Sequence, residues 1–201
     1  MLTDRRMNAE EIAAHLGNFR VGIAGAGGLG SNCSALLARS GIGTLVIADH
    51  DRVERSNLSR QYYFEGQTGM LKTEALKENL SRIRPETAVV IHNVFLDPTN
   101  ISMLFRGCHV IVEALDSSEM KEMFIETVQT EMKGIPVGAG SGIAGWGRNE
   151  TLRSRQIDET LYVCGDETTE VSGDLLPLAA RVAIVAAMQA NTVVEILMKM
   201  H

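Results

Sequence analysis

A chain of 201 residues, 45% apolar and 22% charged, is long enough to bury one full core and too apolar to remain disordered. Its net charge of -6 argues against broad nucleic-acid or anionic-membrane surfaces, so neither is expected as a partner. Cys33, Cys108 and Cys164 form no C-x-x-C pair, which excludes a four-cysteine zinc site and fits reduced thiols in a cytoplasm.

Residues 1–19 read as a polar lead with a short helix around 9–16, and residues 1–18 lack the apolar stretch of a cleavable signal peptide. Val21, Ile23 and Ala24 then make a short apolar run suited to a buried parallel strand. Gly25, Gly27 and Gly30 follow at G-x-G-x-x-G spacing, and Leu29, Cys33, Leu36 and Leu37 continue at helical spacing. A strand, a glycine turn and a helix N-terminus in this order let a phosphate approach backbone amides where the helix dipole favours negative charge.

Residues 44–48 read as a second strand, and 52–68 as a polar connection long enough to suggest function. A helix follows from about Met70, with Leu76, Leu80 and Ile83 facing inward and Pro85 just past its end. Further strands are expected at 88–92, 109–114 and 135–139, a short helix at 100–105, and a longer helix through Met120, Met123, Phe124, Thr127 and Val128 to near Gly134. Residues 140–163 contain glycine-rich, strand-like pieces, read as antiparallel additions at a sheet edge, and 165–173 form an acidic turn expected to be mobile. A closing helix buries Leu178, Val182, Val185, Gln189, Val193, Ile196 and Met200. Its uncharged run, 182–194, is too short for a bilayer needing about 20 apolar residues. The pattern implies an α/β protein: a doubly wound, Rossmann-like, mostly parallel sheet with antiparallel strands at its C-terminal edge, in one domain over 1–201.

Asp49 ends the second strand about 20 residues past the glycines, where a ribose-binding acid is expected, although a turn-capping aspartate fits equally well. Asp116 follows the fourth strand on the edge where ligands bind in open α/β sheets. It reads either as a magnesium-holding carboxylate or as the N-cap of the next helix. Asn57, Arg60 and Lys72 would be ordinary solvated loop residues, except that an amide and two cations gather between the second and third strands.

The segments Gly25-Ala26-Gly27-Gly28-Leu29-Gly30-Ser31, Asp49-His50-Asp51, Asn57-Leu58-Ser59-Arg60-Gln61 and Gly69-Met70-Leu71-Lys72, followed by Asp116, resemble the ThiF/MoeB/HesA superfamily, bacterial relatives of ubiquitin-activating enzymes. The resemblance runs from about Arg20 to at least Ala139. It is greatest to short ThiF-like proteins with a Cys-Gly-Asp near the end, here Cys164-Gly165-Asp166. It implies MgATP at the glycine turn, with Gly25, Gly27, Gly28, Gly30, Asp49, Asp51, Asn57, Arg60, Gln61 and Lys72 binding nucleotide. Asp49 would hold the ribose, Asn57, Arg60 and Lys72 the phosphates, and Asp116 the magnesium. The implied reaction is adenylation of the C-terminal glycine carboxylate of a small ubiquitin-like sulfur carrier ending in Gly-Gly, in thiamine or related sulfur-transfer biosynthesis.

The two C-x-x-C zinc pairs of larger relatives are missing, so no zinc is expected. A homodimer is implied, but the arginine-rich N-terminal element that supplies a partner's arginine is absent, and only Arg5 and Arg6 could replace it. Cys164 has two readings: an exposed nucleophile on a mobile turn, or a strand-ending thiol packed inward, with Asp166 and Glu167 nearby to raise its pKa. Cys33 and Cys108 read as core residues. Competing functions are an NAD-dependent oxidoreductase, which leaves Asn57, Arg60 and Lys72 unexplained, and a non-catalytic nucleotide-binding module.

Overall fold

The computed structural model describes residues 7–200. A helix α1 (Ala9–Leu16) leads into strand β1 (Arg20–Ala24), helix α2 (Gly28–Ser40) and strand β2 (Thr44–Ala48). Two short 3-10 turns, Arg55–Ser59 and Glu65–Gln67, precede α3 (Lys72–Ile83), which leads to β3 (Ala88–His92). The chain continues through α4 (Ile101–Leu104), β4 (Val110–Glu113), α5 (Ser118–Glu131) and β5 (Val137–Ser141), and closes with β6 (Arg153–Gln156), β7 (Leu161–Gly165) and α6 (Ala179–Met198).

The seven strands form one sheet in the order β3-β2-β1-β4-β5-β7-β6. Five of the six strand pairings are parallel, and the antiparallel one joins β6 to β7 at the C-terminal edge. β7 itself runs parallel to β5, so the reversal belongs to the short β6 alone. From β1 the chain winds outward to β3, then returns to the other side of β1 with β4. The carboxyl ends of β1 and β4 therefore flank the crevice where open α/β sheets bind ligands.

Both sheet faces are covered. One carries α1, α2, α3 and α6, with Leu29, Cys33, Leu37, Leu76, Leu80 and Val185 in its core. The other carries α4 and α5, where Phe105 and Phe124 meet edge to face at 5.8 Å. The central strands are buried on both faces, which explains their unbroken apolar runs. The N-terminal lead is tied down: an Asn8–Glu11 capping box starts α1, and His15 Nε2 donates to the Leu197 carbonyl at 3.1 Å.

α6 is long and apolar enough to cross a membrane by length and composition, but it packs against α2 and buries Arg181 and Gln189. Its stripe is as expected from Val182 to Ile196. Leu178, expected in the core, is instead an exposed residue preceding the helix. The acidic turn 165–173, expected to be mobile, is pinned by Asp166, which accepts from the backbone N–H groups of Thr168 and Thr169 and pairs with Arg181.

Candidate nucleotide site

The glycines of the first turn have separate physical reasons. Gly25 has φ +94°, and a Cβ on it would lie 2.6 Å from the Ala114 carbonyl oxygen. A Cβ on Gly30 would lie 1.9 Å from the Gly25 carbonyl, so α2 can sit this close to β1 only with glycine there. Gly28 faces Val182 of α6. Gly27 differs from all three: only the Gln61 side-chain nitrogen comes within 4 Å, leaving open space at the N-terminus of α2, where the first N–H groups have no intrahelical acceptor.

Gln61 supplies the second sign of a ligand site. Its Nε2 lies 3.9 Å from where a Cβ on Gly27 would stand, so an amide N–H donor borders the open space. Arg60 lies against Gly28, and its guanidinium makes only two 3.4 Å contacts, to the Ser56 carbonyl and the Ser59 hydroxyl. It remains largely free to meet an anion. The turn, the amide N–H donor of Gln61 and the lightly held cation fit a nucleotide phosphate.

Asp49 lies at the carboxyl end of β2. Its Oδ2 accepts from Ala26 N at 2.6 Å and its Oδ1 from Asp51 N at 2.7 Å, so it shapes the glycine turn whatever else it binds. The Tyr63 hydroxyl donates to the Ala26 carbonyl at 2.7 Å from the opposite side. Burial, reinforced by the charges of Asp49 and Asp51, pushes the Tyr63 phenol far above its ordinary pKa and keeps it a donor. Sequence reasoning missed Tyr63, which sits just past the Asn57–Gln61 segment.

Lys72 is not the solvated loop cation its setting suggested. It is the first residue of α3, buried, with Nζ 2.7 Å from Asp51 Oδ2. Asn57 is also buried, and its Oδ1 accepts from Glu54 N at 3.1 Å, which closes the 3-10 turn rather than facing solvent. The structure therefore brings Asp49, Asp51 and Lys72 together around the glycine turn through Ala26 and Tyr63. Arg60 and Gln61 reach the same turn from α2's side.

Asp116 is exposed, three residues past β4. It is not the helix cap: Ser117 takes that place, its hydroxyl accepting from Met120 N at 3.1 Å. The turn carrying Asp116 is braced by Glu113, whose fully buried carboxylate accepts from Leu115 N at 2.7 Å and pairs with Lys121. Burial raises the Glu113 pKa, against the opposing effect of Lys121. A glutamate ending the apolar 109–114 run was the available signal for this brace. For a cation, the exposed Asp116 carboxylate offers free oxygens. The ligand atoms of Asp49, His50 and Asp51 also lie within 4.8 Å of one another, but both of those carboxylates are already engaged.

Cys164 takes the second of its two readings. It ends its strand packed inward, with no exposed surface and Sγ 3.4 Å from Ser154 Oγ and 3.7 Å from Thr192 Oγ1. Its pKa is raised by burial, not by the neighbouring carboxylates, because Asp166 points away to Arg181. A buried, protonated thiol is a poor nucleophile. Cys164→Ser is expected to leave nucleotide chemistry unchanged, and the native thiol should resist alkylation until the protein unfolds. Rapid labelling of Cys164 in the folded protein would contradict this placement. Cys33 and Cys108 are buried as expected.

Residues 4–201 match the ThiF family. The chain is 33% identical over 159 residues to the adenylyltransferase and sulfurtransferase UBA4 of Saccharomyces cerevisiae, covering 76% of this chain and 36% of that protein. It is also 33% identical over 130 residues to the adenylyltransferase and sulfurtransferase MOCS3 of Caenorhabditis briggsae, covering 64% and 32%. It thus spans roughly a third of the curated relatives it matches. Among solved structures, the E. coli tRNA N6-threonylcarbamoyladenosine dehydratase TcdA in complex with AMP has a TM-score of 0.83 at 19% identity, covering 93% of this chain and 89% of that one. E. coli MccB with ATP has a TM-score of 0.71 at 24% identity, covering 94% and 59%. These structures share the fold. The family match extends from the N-terminal lead through α6 and so takes in the glycine turn, the β2 carboxylates and the Asp116 turn alike: the chain belongs to the ThiF family.

Proposed function

We propose that this chain binds MgATP at the Gly25–Gly30 turn and adenylates the C-terminal glycine carboxylate of a small ubiquitin-like sulfur carrier, in thiamine or related sulfur-transfer biosynthesis. The observation that carries the reading is the open space at Gly27, bordered by the Gln61 Nε2 donor and, over the adjoining Gly28, by the lightly held Arg60. The relatives named adenylyltransferases and the fold neighbours bound to AMP and ATP support it.

The chemistry needs no general base. A C-terminal carboxylate has a pKa of about 3.5 and is ionised at neutral pH. Its oxygen bonds to the α-phosphorus, the bond to the bridging oxygen breaks, and pyrophosphate leaves with the electron pair. The difficulty is bringing an anion to a polyanion, so positioning and charge neutralisation supply the rate. Arg60 can grip phosphate oxygens with two N–H groups, and Lys72 adds a compact charge held ready by Asp51. In this reading Asp49 would hold the ribose and Asp116 magnesium, which when bound would neutralise phosphate charge. A homodimer and a cytoplasmic setting belong to the same proposal; Arg5 and Arg6, the candidates for reaching a partner's site, lie outside the described residues.

The test is ATP–pyrophosphate exchange with the purified chain, magnesium and the Gly-Gly-ended carrier that copurifies with it. Exchange that depends on the carrier is the expected result. Binding of NADH without affinity for MgATP would remove the reading. Nucleotide binding with no exchange would make the chain a non-catalytic module, and exchange that depends on a tRNA rather than the carrier would reassign the substrate.

A further inference from the structure

Among the described residues, only two non-glycine residues have positive φ: Arg148 at 50° and Glu167 at 58°. They are far apart in sequence, yet each adjoins one end of the same buried contact. Arg181, in the first turn of α6, donates through Nη1 to the Gly147 carbonyl at 2.7 Å and through Nη2 to Asp166 Oδ2 at 2.5 Å. Both side chains of the ion pair are only 3% exposed. The other Asp166 oxygen accepts from the backbone N–H groups of Thr168 and Thr169 at 2.9 and 2.8 Å and from both threonine hydroxyls. Gly142, with φ +74°, completes the closure: a Cβ there would lie 2.0 Å from Asp166 Oδ1.

This arrangement is not the cheapest way to hold a fold. Arg181 Nε is buried without a partner, and a buried ion pair is weak support for stability compared with apolar packing. Positive φ at a non-glycine residue is unfavourable and persists where the surroundings enforce it. Strain and an orphaned donor at one contact point to a positional role.

What the contact positions follows from the sheet. The parallel strands β1, β2, β4, β5 and β7 all end at one edge. The nucleotide candidates Asn57, Arg60 and Lys72 follow β2 on one half of that edge. Segment 142–149 leaves β5, and the 166–169 turn leaves β7, on the other half beyond β4 and Asp116. Arg181 ties these two segments to the start of α6, whose next residue, Val182, packs on Gly28 of the glycine turn.

The geometry points to Asp166 and Arg181 as positioning residues: a latch that holds segment 142–149 in place as the wall of the site on the side where the second substrate, the carboxylate-bearing protein, must enter. The assignment to the second substrate rests on the adenylation reading. The latch itself does not.

The test uses the single tryptophan of the chain. Trp146 adjoins the latched Gly147 carbonyl and is 68% exposed, so its fluorescence anisotropy decay reports the order of this segment directly. Arg181→Lys keeps the charge but loses the fork that bonds two acceptors at once, and Asp166→Asn removes the charge with little change of shape. In both variants a nanosecond component should appear in the Trp146 decay, the timescale of a released loop. Cooperative melting should persist. In the exchange assay the KM for the carrier should rise by about tenfold or more while that for ATP stays within about twofold. A residue that merely stabilised the fold would lower the melting temperature and leave the native-state decay unchanged. If neither variant shows the nanosecond component, there is no latch. If the component appears but MgATP binding weakens along with it, the latch serves the nucleotide and the assignment to the second substrate is overturned. Should the wild-type chain bind no MgATP, the adenylation reading fails on its own, and the anisotropy comparison still decides the latch.

Discussion

Asp116→Asn is expected to reduce carrier-dependent ATP–pyrophosphate exchange by about 10²- to 10³-fold, the loss of several kcal/mol of charge neutralisation on the phosphates. Stability should hardly change. Ser117, not Asp116, caps α5, and the side chain of Asp116 is exposed, so the substitution removes neither a cap nor a buried bond. The turn also keeps its brace, because Leu115 N and Lys121 are held by Glu113. An amide can still coordinate weakly through its oxygen, so the deficit should shrink as magnesium is raised. That response separates a metal ligand from a residue that only shapes the loop. Exchange at wild-type level over the whole magnesium range would take Asp116 out of the site.

Lys72→Ala and Arg60→Ala should each lower exchange, by about 10- to 10³-fold, because each withdraws a cation from the same phosphate charge. For that reason their effects should not add in the double variant. The structure separates the two in stability. Arg60 makes only long contacts at a partly exposed site, and its removal should change stability by less than about 0.5 kcal/mol. Lys72 is buried against Asp51, and its removal leaves that carboxylate without its partner. Because Asp51 is 46% exposed and water can screen it, the cost should be about 1–2 kcal/mol rather than that of a fully buried broken pair. Lys72→Ala should therefore show both a lower melting temperature and lower exchange. Denaturation curves and exchange rates on the same preparations distinguish this from a general loss of folded protein. If both variants exchange normally at low ATP, the connection between β2 and α3 plays no part in phosphate binding.

The sequence by itself determined the alternation of strands and helices. Strands buried on both faces must be apolar throughout, and helices covering them must be apolar on one stripe, so both leave a local pattern. The runs at 21–24, 44–48 and 88–92 became β1, β2 and β3 with almost no shift of boundary. The glycine spacing at 25–30 was legible for a related reason, since a left-handed φ and a close helix-to-strand approach admit no other residue. Only the tertiary structure decided which polar groups are free and which are spent. Lys72 closes a long polar connection and Cys164 precedes an acidic turn, yet one is buried by the return of the chain onto Asp51 and the other by Ser154 and Thr192 from β6 and α6. Asp166 and Arg181 stand in unrelated segments, and nothing local in either predicts the other; the pair exists because β7 is laid beside β5 and α6 crosses back over α2. Burial of a charge depends on what arrives from elsewhere in the chain, and a desolvated group keeps its charge only where a partner arrives with it.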